Sequence, residues 1–182
     1  TTTDLNAMST DWFGSLSTAQ VAALNTLQIS TLATDDLASL SATQVAAFTT
    51  TQVAALTTLE MRSLTATQAG ALTSRQAGAL NSDQLGAIET ADISSLTSAA
   101  IQGLTTDAID GLTTLQIDAM DMTQAAAFSA TQTNAMSALQ TNALSTLTSP
   151  IILDLDGNGV DTTSLLAGVK FDIDADGDLD ST

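Results

Sequence analysis

The chain has 182 residues, a net charge of −17 and an apolar content of 44%, but only 3% of its residues are aromatic. Because it has three basic residues and no His, we predict that it binds neither nucleic acid nor an anionic membrane surface. The absence of Cys excludes disulfides and thiolate metal sites. Few side chains remain for acid–base or nucleophilic chemistry, so we also predict that the chain is not an enzyme.

The chain begins with Thr1 and shows no signal peptide, so we expect a processed protein or a part of a longer one. No apolar run approaches the ~20 residues of a membrane helix, and we therefore expect no membrane insertion. With so few aromatic anchors, the core must be thin and built mainly from Ala and Leu.

A strict eight-residue repeat runs from Met8 to Leu144 without an insertion or deletion. Each unit, which we call an octad, begins with a large apolar anchor at position 1. The anchors are Met8, Leu16, Leu24, Leu32, Leu40, Phe48, Leu56, Leu64, Leu72, Leu80, Ile88, Leu96, Leu104, Leu112, Met120, Phe128, Met136 and Leu144. A fixed repeat predicts a stacked array in which each unit contacts chiefly its neighbours.

Each octad carries two helix-start signals, as the octad 56–63 illustrates. Position 2 is an N-cap residue such as Thr57, and position 5 is mostly Gln or Glu, here Glu60, which predicts a capping box. The apolar residues at positions 1 and 6, here Leu56 and Met61, predict a hydrophobic staple around the same helix start. A new helix every eight residues limits each helix to about five to seven residues, which is too short for stability without stacking.

We therefore predict an all-α solenoid of short helices over residues 1–149. Position 8 is always small, as at Gly103 and Gly111, so neighbouring backbones can approach closely. We expect positions 1 and 6 to face the interior and positions 2 to 5 to face mostly outward. With two octads in each superhelical turn and helices packed about 8–10 Å apart, the array would be roughly 70–90 Å long.

Two other folds stay open at this point. A single long helix would turn its anchors by roughly 80° per octad, so the apolar stripe would wind around the rod without a fixed partner. A β-solenoid would suit the Thr, Val and Ile content, but its corners would need Gly or Asn at fixed positions that the octad lacks. The abundance of Ala and Gln favours the short helices.

The first octad is atypical because Trp12 and Phe13 occupy its positions 5 and 6. Terminal repeats are often modified as caps, so we expect these aromatics to close the end of the array. They could equally be a core pair. If that end is exposed, Trp12 and Phe13 would instead form a contact for a neighbouring subunit.

Pro150 lies at position 7 of the last octad, inside what would be a further helix, and ends the repeat. Residues 150–182 contain two copies of the pattern D-x-[DN]-x-[DN]-G, in which oxygens at positions 1, 3 and 5 converge on Ca²⁺ while Gly permits a sharp turn. The predicted metal ligands are Asp154, Asp156, Asn158, the carbonyl of Val160 and Asp161 in the first loop, and Asp172, Asp174, Asp176, Asp178 and Asp180 in the second.

Neither loop is an EF-hand, because Leu165 occupies position 12 of the first loop and the second reaches Thr182 before that position. The alternating residues 169–174 predict a strand. We therefore expect residues 150–182 to form a small β-like calcium-binding appendage that Ca²⁺ orders. The alternative is a solvated acidic tail.

The segments 150–160 and 168–177 resemble a module found in very large RTX-like bacterial proteins, which are secreted by type I machinery and are often calcium-binding or adhesin-like. The octads are similar to low-complexity tracts in some of the same proteins. The resemblance implies Ca²⁺ ligands at Asp154, Asp156, Asn158, Asp172, Asp174 and Asp176, and a location outside the bacterial cell. This chain lacks the glycine-rich nonapeptides that define RTX arrays.

These features together predict a structural protein of the bacterial cell surface, a repeat subunit of a surface fibre or of a biofilm matrix filament. Copies would assemble head to tail, with the calcium module of one copy against Trp12 and Phe13 of the next. The alternative is an adhesin spacer or binding segment of a larger secreted protein, whose Thr- and Ser-rich face contacts carbohydrate or a host protein.

Overall fold

The computed structural model describes residues 2–148, and helices are the only regular secondary structure in that range. The helices are α1 (Thr2–Leu5), α2 (Thr10–Gly14), α3 (Thr18–Ala22), α4 (Thr26–Ile29), α5 (Thr34–Ser39), α6 (Ala42–Ala46), α7 (Thr50–Ala55), α8 (Thr58–Ser63), α9 (Ala66–Gly70), α10 (Ser74–Ala77), α11 (Ser82–Ala87), α12 (Thr90–Ile93), α13 (Ser98–Gly103), α14 (Thr106–Ile109), α15 (Thr114–Asp118), α16 (Met122–Ala125), α17 (Ala130–Ala135) and α18 (Ala138–Thr148). The all-α repeat is confirmed for these residues. None of these helices is long and apolar enough to cross a membrane.

The predicted capping boxes start most of the helices. In α3, the N-cap residue Ser17 has extended backbone angles, and its side chain accepts a hydrogen bond from the backbone N–H of Gln20. The Gln20 side chain accepts in return from the backbone N–H of Ser17 at 2.9 Å. The same reciprocal pair begins α4, α6 to α11 and α15 to α17. Local hydrogen bonds therefore define where most of the short helices begin, although α5 and α12 have no side-chain cap.

The anchor residues turn the chain between helices. Leu56 closes α7 with φ −61° and ψ 134°, and the next residue, Thr57, is the extended N-cap of α8. Leu104 ends α13 in the same way. Two consecutive extended residues end one helix and redirect the chain before the next begins, while the anchor side chain remains buried.

Each helix packs against the helix three places later in the chain. Helices α2, α5, α8, α11, α14 and α17 form one side of the superhelix, and α3, α6, α9, α12, α15 and α18 form the second. The third side contains α1, α4, α7, α10, α13 and α16. One superhelical turn therefore contains three octads.

The prediction of two octads per turn is wrong for this array. Three helices enclose a wider interior than two, and the structure uses that room to bury side chains from position 5 as well as from positions 1 and 6. Eighteen helices then occupy six layers. At about 8–10 Å between packed helices, the described array spans roughly 50–60 Å, shorter than the sequence-based length.

Positions 1 and 6 supply one continuous apolar core, as predicted. Phe13, Leu37, Met61, Leu85 and Ile109 at position 6 have no exposed surface. The anchors at position 1 are buried through most of the array, whereas Leu16 and Leu24 are only partly buried. Each turn thus buries both of its apolar positions against the turns on either side.

Small residues allow the closest contacts between turns. A Cβ atom added to Gly103 of α13 would overlap the carbonyl oxygen of Ser74 of α10. A Cβ atom on Gly111, just after α14, would overlap the carbonyl oxygen of Ser82 of α11. The expected close approach at position 8 is therefore present, and at these two places it requires glycine.

The last described helix departs from the repeat. The octad pattern predicts a break after Leu144, but α18 continues from Ala138 to Thr148. Position 5 of this octad is Thr148 and supplies no amide for a capping box. Ser145, at the N-cap position, instead donates its hydroxyl to the carbonyl of Asn142 at 2.7 Å. The octad that begins at Leu144 thus continues the helix of the preceding octad instead of starting a new one.

Candidate functional site

The predicted calcium ligands between Asp154 and Asp180 lie outside the described residues, as does the whole predicted appendage at 150–182. Calcium binding there stays a prediction. Within residues 2–148, no group of three or more His, Cys, Asp or Glu side chains is placed to hold a metal ion.

The two aromatic residues of the predicted subunit contact have different environments. Phe13 is completely buried, whereas Trp12 is 38% exposed. Their rings meet edge to face with centroids 5.1 Å apart. Phe13 occupies position 6, as the other core residues do, and α1 with its buried Leu5 precedes it. Phe13 is therefore a core residue, and only Trp12 offers surface to a partner.

Most side chains at position 5 point into the array and are buried. Gln68 is 1% exposed, although positions 2 to 5 were expected to face mostly outward. Its side-chain oxygen accepts from the backbone N–H of Thr65, which completes the capping box of α9. Its Nε2 donates to the carbonyls of Leu37 and Leu40, both at 2.7 Å, in the preceding turn. One amide thus starts its own helix and joins it to the end of α5 in the preceding turn.

The same arrangement recurs along the array, and we call it the glutamine ladder. Every member has Nε2 donating to two carbonyls of the preceding turn, 31 and 28 residues earlier in the chain. The members are Gln44, Gln52, Gln68, Gln76, Gln84, Gln116, Gln124, Gln132 and Gln140. Every one of them is buried. The ladder therefore gives each anchor carbonyl of the preceding turn a donor, and it gives a second donor to the position 6 carbonyl, which already accepts from the anchor N–H.

Four octads interrupt the ladder, with Glu60, Asp92, Ala100 and Ala108 at position 5. Thr97 and Thr105 still cap the helices of the last two by accepting from the backbone N–H groups of the two alanines. Among the complete octads, only the two with alanine at position 5 have glycine at position 8. In the two octads that have alanine at position 5, the glycine at position 8 lets the backbone lie directly against the preceding turn.

Glu60 is the glutamate of the ladder position. It is 2% exposed, and its Oε2 accepts from the N–H of Thr57 at 2.6 Å and from the Thr57 hydroxyl at 2.9 Å. Its other oxygen, Oε1, is buried and has no hydrogen-bond partner. Burial raises the pKa of Glu60, while the hydrogen bonds from Thr57 and the nearby backbone of Leu32 oppose that rise.

A second acidic residue lies in the same position one turn earlier. Asp36 on α5 is 5% exposed, and α5 packs against α8, which carries Glu60. Burial raises the pKa of Asp36, and the neighbouring carboxylate of Asp35 raises it further. Consecutive turns on this side of the array therefore bury carboxyl groups where other turns bury amides.

The outer surface combines charged groups with isolated leucines. Arg62 pairs with Glu89 at 3.5 Å, and both side chains are more than half exposed. At position 4, Leu27, Leu59, Leu115 and Leu139 are each more than 60% exposed. Leu115 and Leu139 belong to the packed helices α15 and α18, so they lie on the same side of adjacent turns.

Comparison with protein families identifies this repeat. A model of the ALTTAQ repeat matches residues 1–34, 29–66 and 85–122, which together span more than half of the chain. The chain belongs to the ALTTAQ repeat family. The six letters of the family name correspond to position 8 of one octad and positions 1 to 5 of the next, as in Ala47-Phe48-Thr49-Thr50-Thr51-Gln52. The glutamine of the ALTTAQ repeat is thus the ladder residue.

The other comparisons give no further relative: no curated protein and no solved structure matches the chain. The resemblance of residues 150–177 to RTX-like proteins is not addressed by the family match and stays a prediction.

Proposed function

We propose that this ALTTAQ repeat protein is a structural, non-catalytic protein of the bacterial cell exterior and a building block of a surface fibre or matrix filament. The observation that supports this best is the glutamine ladder. It joins each superhelical turn to the preceding one through the same donor and acceptor positions. Because each turn binds the preceding one in the same way, the scaffold can span distance with a single repeated interface.

In this proposal, copies associate head to tail. The two ends of a solenoid are different surfaces, so contact between unlike ends is heterologous and can propagate into a filament. Trp12, the exposed aromatic near one end of the described array, is the proposed contact on one copy. The predicted calcium loops at 154–160 and 172–178 would form the contact on the next, with Ca²⁺ neutralising part of the net charge of −17.

Electron microscopy of the full chain tests this proposal. We expect filaments in Ca²⁺ that dissociate when a chelator is added. Trp12→Ala should abolish the filaments, whereas the control Leu27→Ala, which also truncates an exposed apolar side chain, should leave them intact. Short particles of one size in Ca²⁺ and in chelator alike would contradict the filament.

The exposed leucines favour one alternative, a binding segment within a larger secreted protein. Leu115 and Leu139 on adjacent turns, with the exposed Met122 on α16, provide apolar surface of the kind that protein partners cover. Unpolymerised chain that binds a host protein or a glycan would support this alternative. Loss of that binding in Leu115→Ser and Leu139→Ser, but not in Leu27→Ser, would locate the contact.

A further inference from the structure

Glu60 has the oxygen Oε1 at the place where every glutamine of the ladder has the donor nitrogen Nε2. In a ladder glutamine, the side-chain oxygen accepts from the N-cap residue and Nε2 donates to two carbonyls of the preceding turn. In Glu60, Oε2 takes the accepting role toward Thr57, and Oε1 replaces the donor. By the spacing of the ladder, the carbonyls it should reach are those of Ile29 and Leu32.

A carboxylate at this place has no hydrogen to donate. Its buried Oε1 then has no hydrogen-bond partner, and burying such a charge without a partner is costly. A protonated carboxyl removes both problems. Its Oε1–H can donate to a carbonyl of the preceding turn while Oε2 continues to accept from Thr57.

We propose that Glu60 is a proton-dependent member of the ladder: when protonated it joins α8 to the preceding turn as the glutamines do, and when ionised it releases that contact. The array is then most stable under acidic conditions and weakens at this turn as the pH rises. This inference depends on the fold of residues 2–148 and is independent of the proposed filament.

Among residues 2–148, no positive charge is placed to stabilise the ionised form of Glu60. The helices packed against α8 are α5 and α11, whose charged residues are Asp35, Asp36 and Asp83. All three are acidic. On α8 itself, the basic residue Arg62 is 63% exposed and pairs with Glu89 rather than with Glu60. The surroundings of Glu60 therefore favour its neutral form.

The direction of the pH dependence follows from proton linkage. Because burial raises the pKa of Glu60 in the folded state, the folded chain binds more protons than the unfolded chain between the ordinary value of 4.5 and the raised one. The stability from the neutral carboxyl is complete below the ordinary value. It is lost progressively as the pH rises through that interval.

A titration observed by NMR tests the protonation directly. The chain contains only two glutamates, Glu60 and Glu89, so selective ¹³C labelling of glutamate gives two carboxyl signals. Glu89 is 55% exposed and serves as the internal reference. We expect the Glu60 signal to titrate at a distinctly higher pH than the Glu89 signal. Titration of both at the same pH would overturn the proposal.

Thermal unfolding of variants tests the effect on stability. We expect Glu60→Gln to raise the unfolding midpoint over the unmodified chain by about 2–4 °C or more at about pH 8, and by much less at about pH 4. The control Asp107→Asn removes an exposed carboxylate from α14, which packs against α11 and α17 rather than against α8, and should show no such growth with pH. An equal effect of Glu60→Gln at both pH values would overturn the proposal.

The reverse exchange gives a second test that does not depend on Glu60. Nε2 of Gln84 donates to the carbonyls of Val53 and Leu56 at 3.0 and 2.7 Å. Gln84→Glu should therefore introduce a new loss of stability as the pH rises, and folding only under acidic conditions would also support the proposal. A Gln84→Glu variant with the pH profile of the unmodified chain would count against it.

Discussion

At the scale of single residues, the glutamine at position 5 performs two tasks with one side chain. Its oxygen caps a helix that is too short to persist alone, and its nitrogen binds the preceding turn. Glutamate would serve the first task equally well, but only an amide or a neutral carboxyl can donate for the second. The predominance of Gln over Glu at this position is therefore explained by the tertiary contact.

A pair of glutamine variants separates the two tasks. Gln20 forms the capping box with Ser17 but, among the described residues, makes no cross-turn hydrogen bond, whereas Gln68 does both. We expect Gln20→Ala to lower the free energy of unfolding by about 0.5–1 kcal/mol and Gln68→Ala by about 2–4 kcal/mol. Urea denaturation measures both, and equal losses would show that the cross-turn bonds contribute little.

At the scale of helices, contact between turns takes two forms. Most helices bind the preceding turn through a buried amide. In contrast, α13 and α14 have Ala100 and Ala108 at that position and glycine at position 8, so that backbone packs against backbone. In these two octads the close backbone contact takes the place of the amide, so the space between the turns stays filled.

Glycine variants measure the second form of contact. Gly111→Ala would force the new methyl group into the carbonyl oxygen of Ser82, so we expect a loss of at least about 1–3 kcal/mol in the free energy of unfolding. Gly14 is the matched control, because a Cβ atom there would meet only the carbonyl oxygen of Ser39 at an ordinary 3.7 Å. Denaturation curves for Gly111→Ala and Gly14→Ala that coincide would contradict the close contact.

At the scale of the whole array, each turn contacts only the turns before and after it. Stability should therefore be close to a sum of similar turn and interface contributions, and the array should tolerate the removal of a complete turn. By contrast, a deletion has to remove a whole number of octads. The carbonyl groups that accept from the ladder glutamines recur only at that spacing.

Two deletions test this requirement. Removing residues 41–64 deletes three octads and would place Gln68 above the carbonyls of Phe13 and Leu16, which Gln44 now binds. We expect that variant to retain its helical circular dichroism and cooperative unfolding. Removing residues 41–60 deletes fewer residues but shifts the register by half an octad, and we expect it to lose both. Equal behaviour of the two variants would contradict the ladder.

The local part of this structure could be read from the sequence. The capping pair Ser17 and Gln20, the buried staple residues such as Leu56 and Met61, and the small residue at position 8 are all confirmed. The capping pair and the staple follow from interactions between residues three to five places apart within one octad, whereas the close contact at position 8 is made between turns, as by Gly103 with Ser74. The break that the octad pattern predicts after Leu144 is wrong, because α18 continues through Leu144 to Thr148.

Only the tertiary structure decided how many octads form a turn, and with it the inward direction of position 5 and the burial of Glu60. A period of eight is compatible with any whole number of octads per turn, so the repeat alone cannot distinguish two from three. The partners of Gln68 lie 31 and 28 residues earlier in the chain, beyond the reach of any local signal. What the sequence determined by itself is where each helix begins; which helix it then meets depends on packing between residues of distant octads.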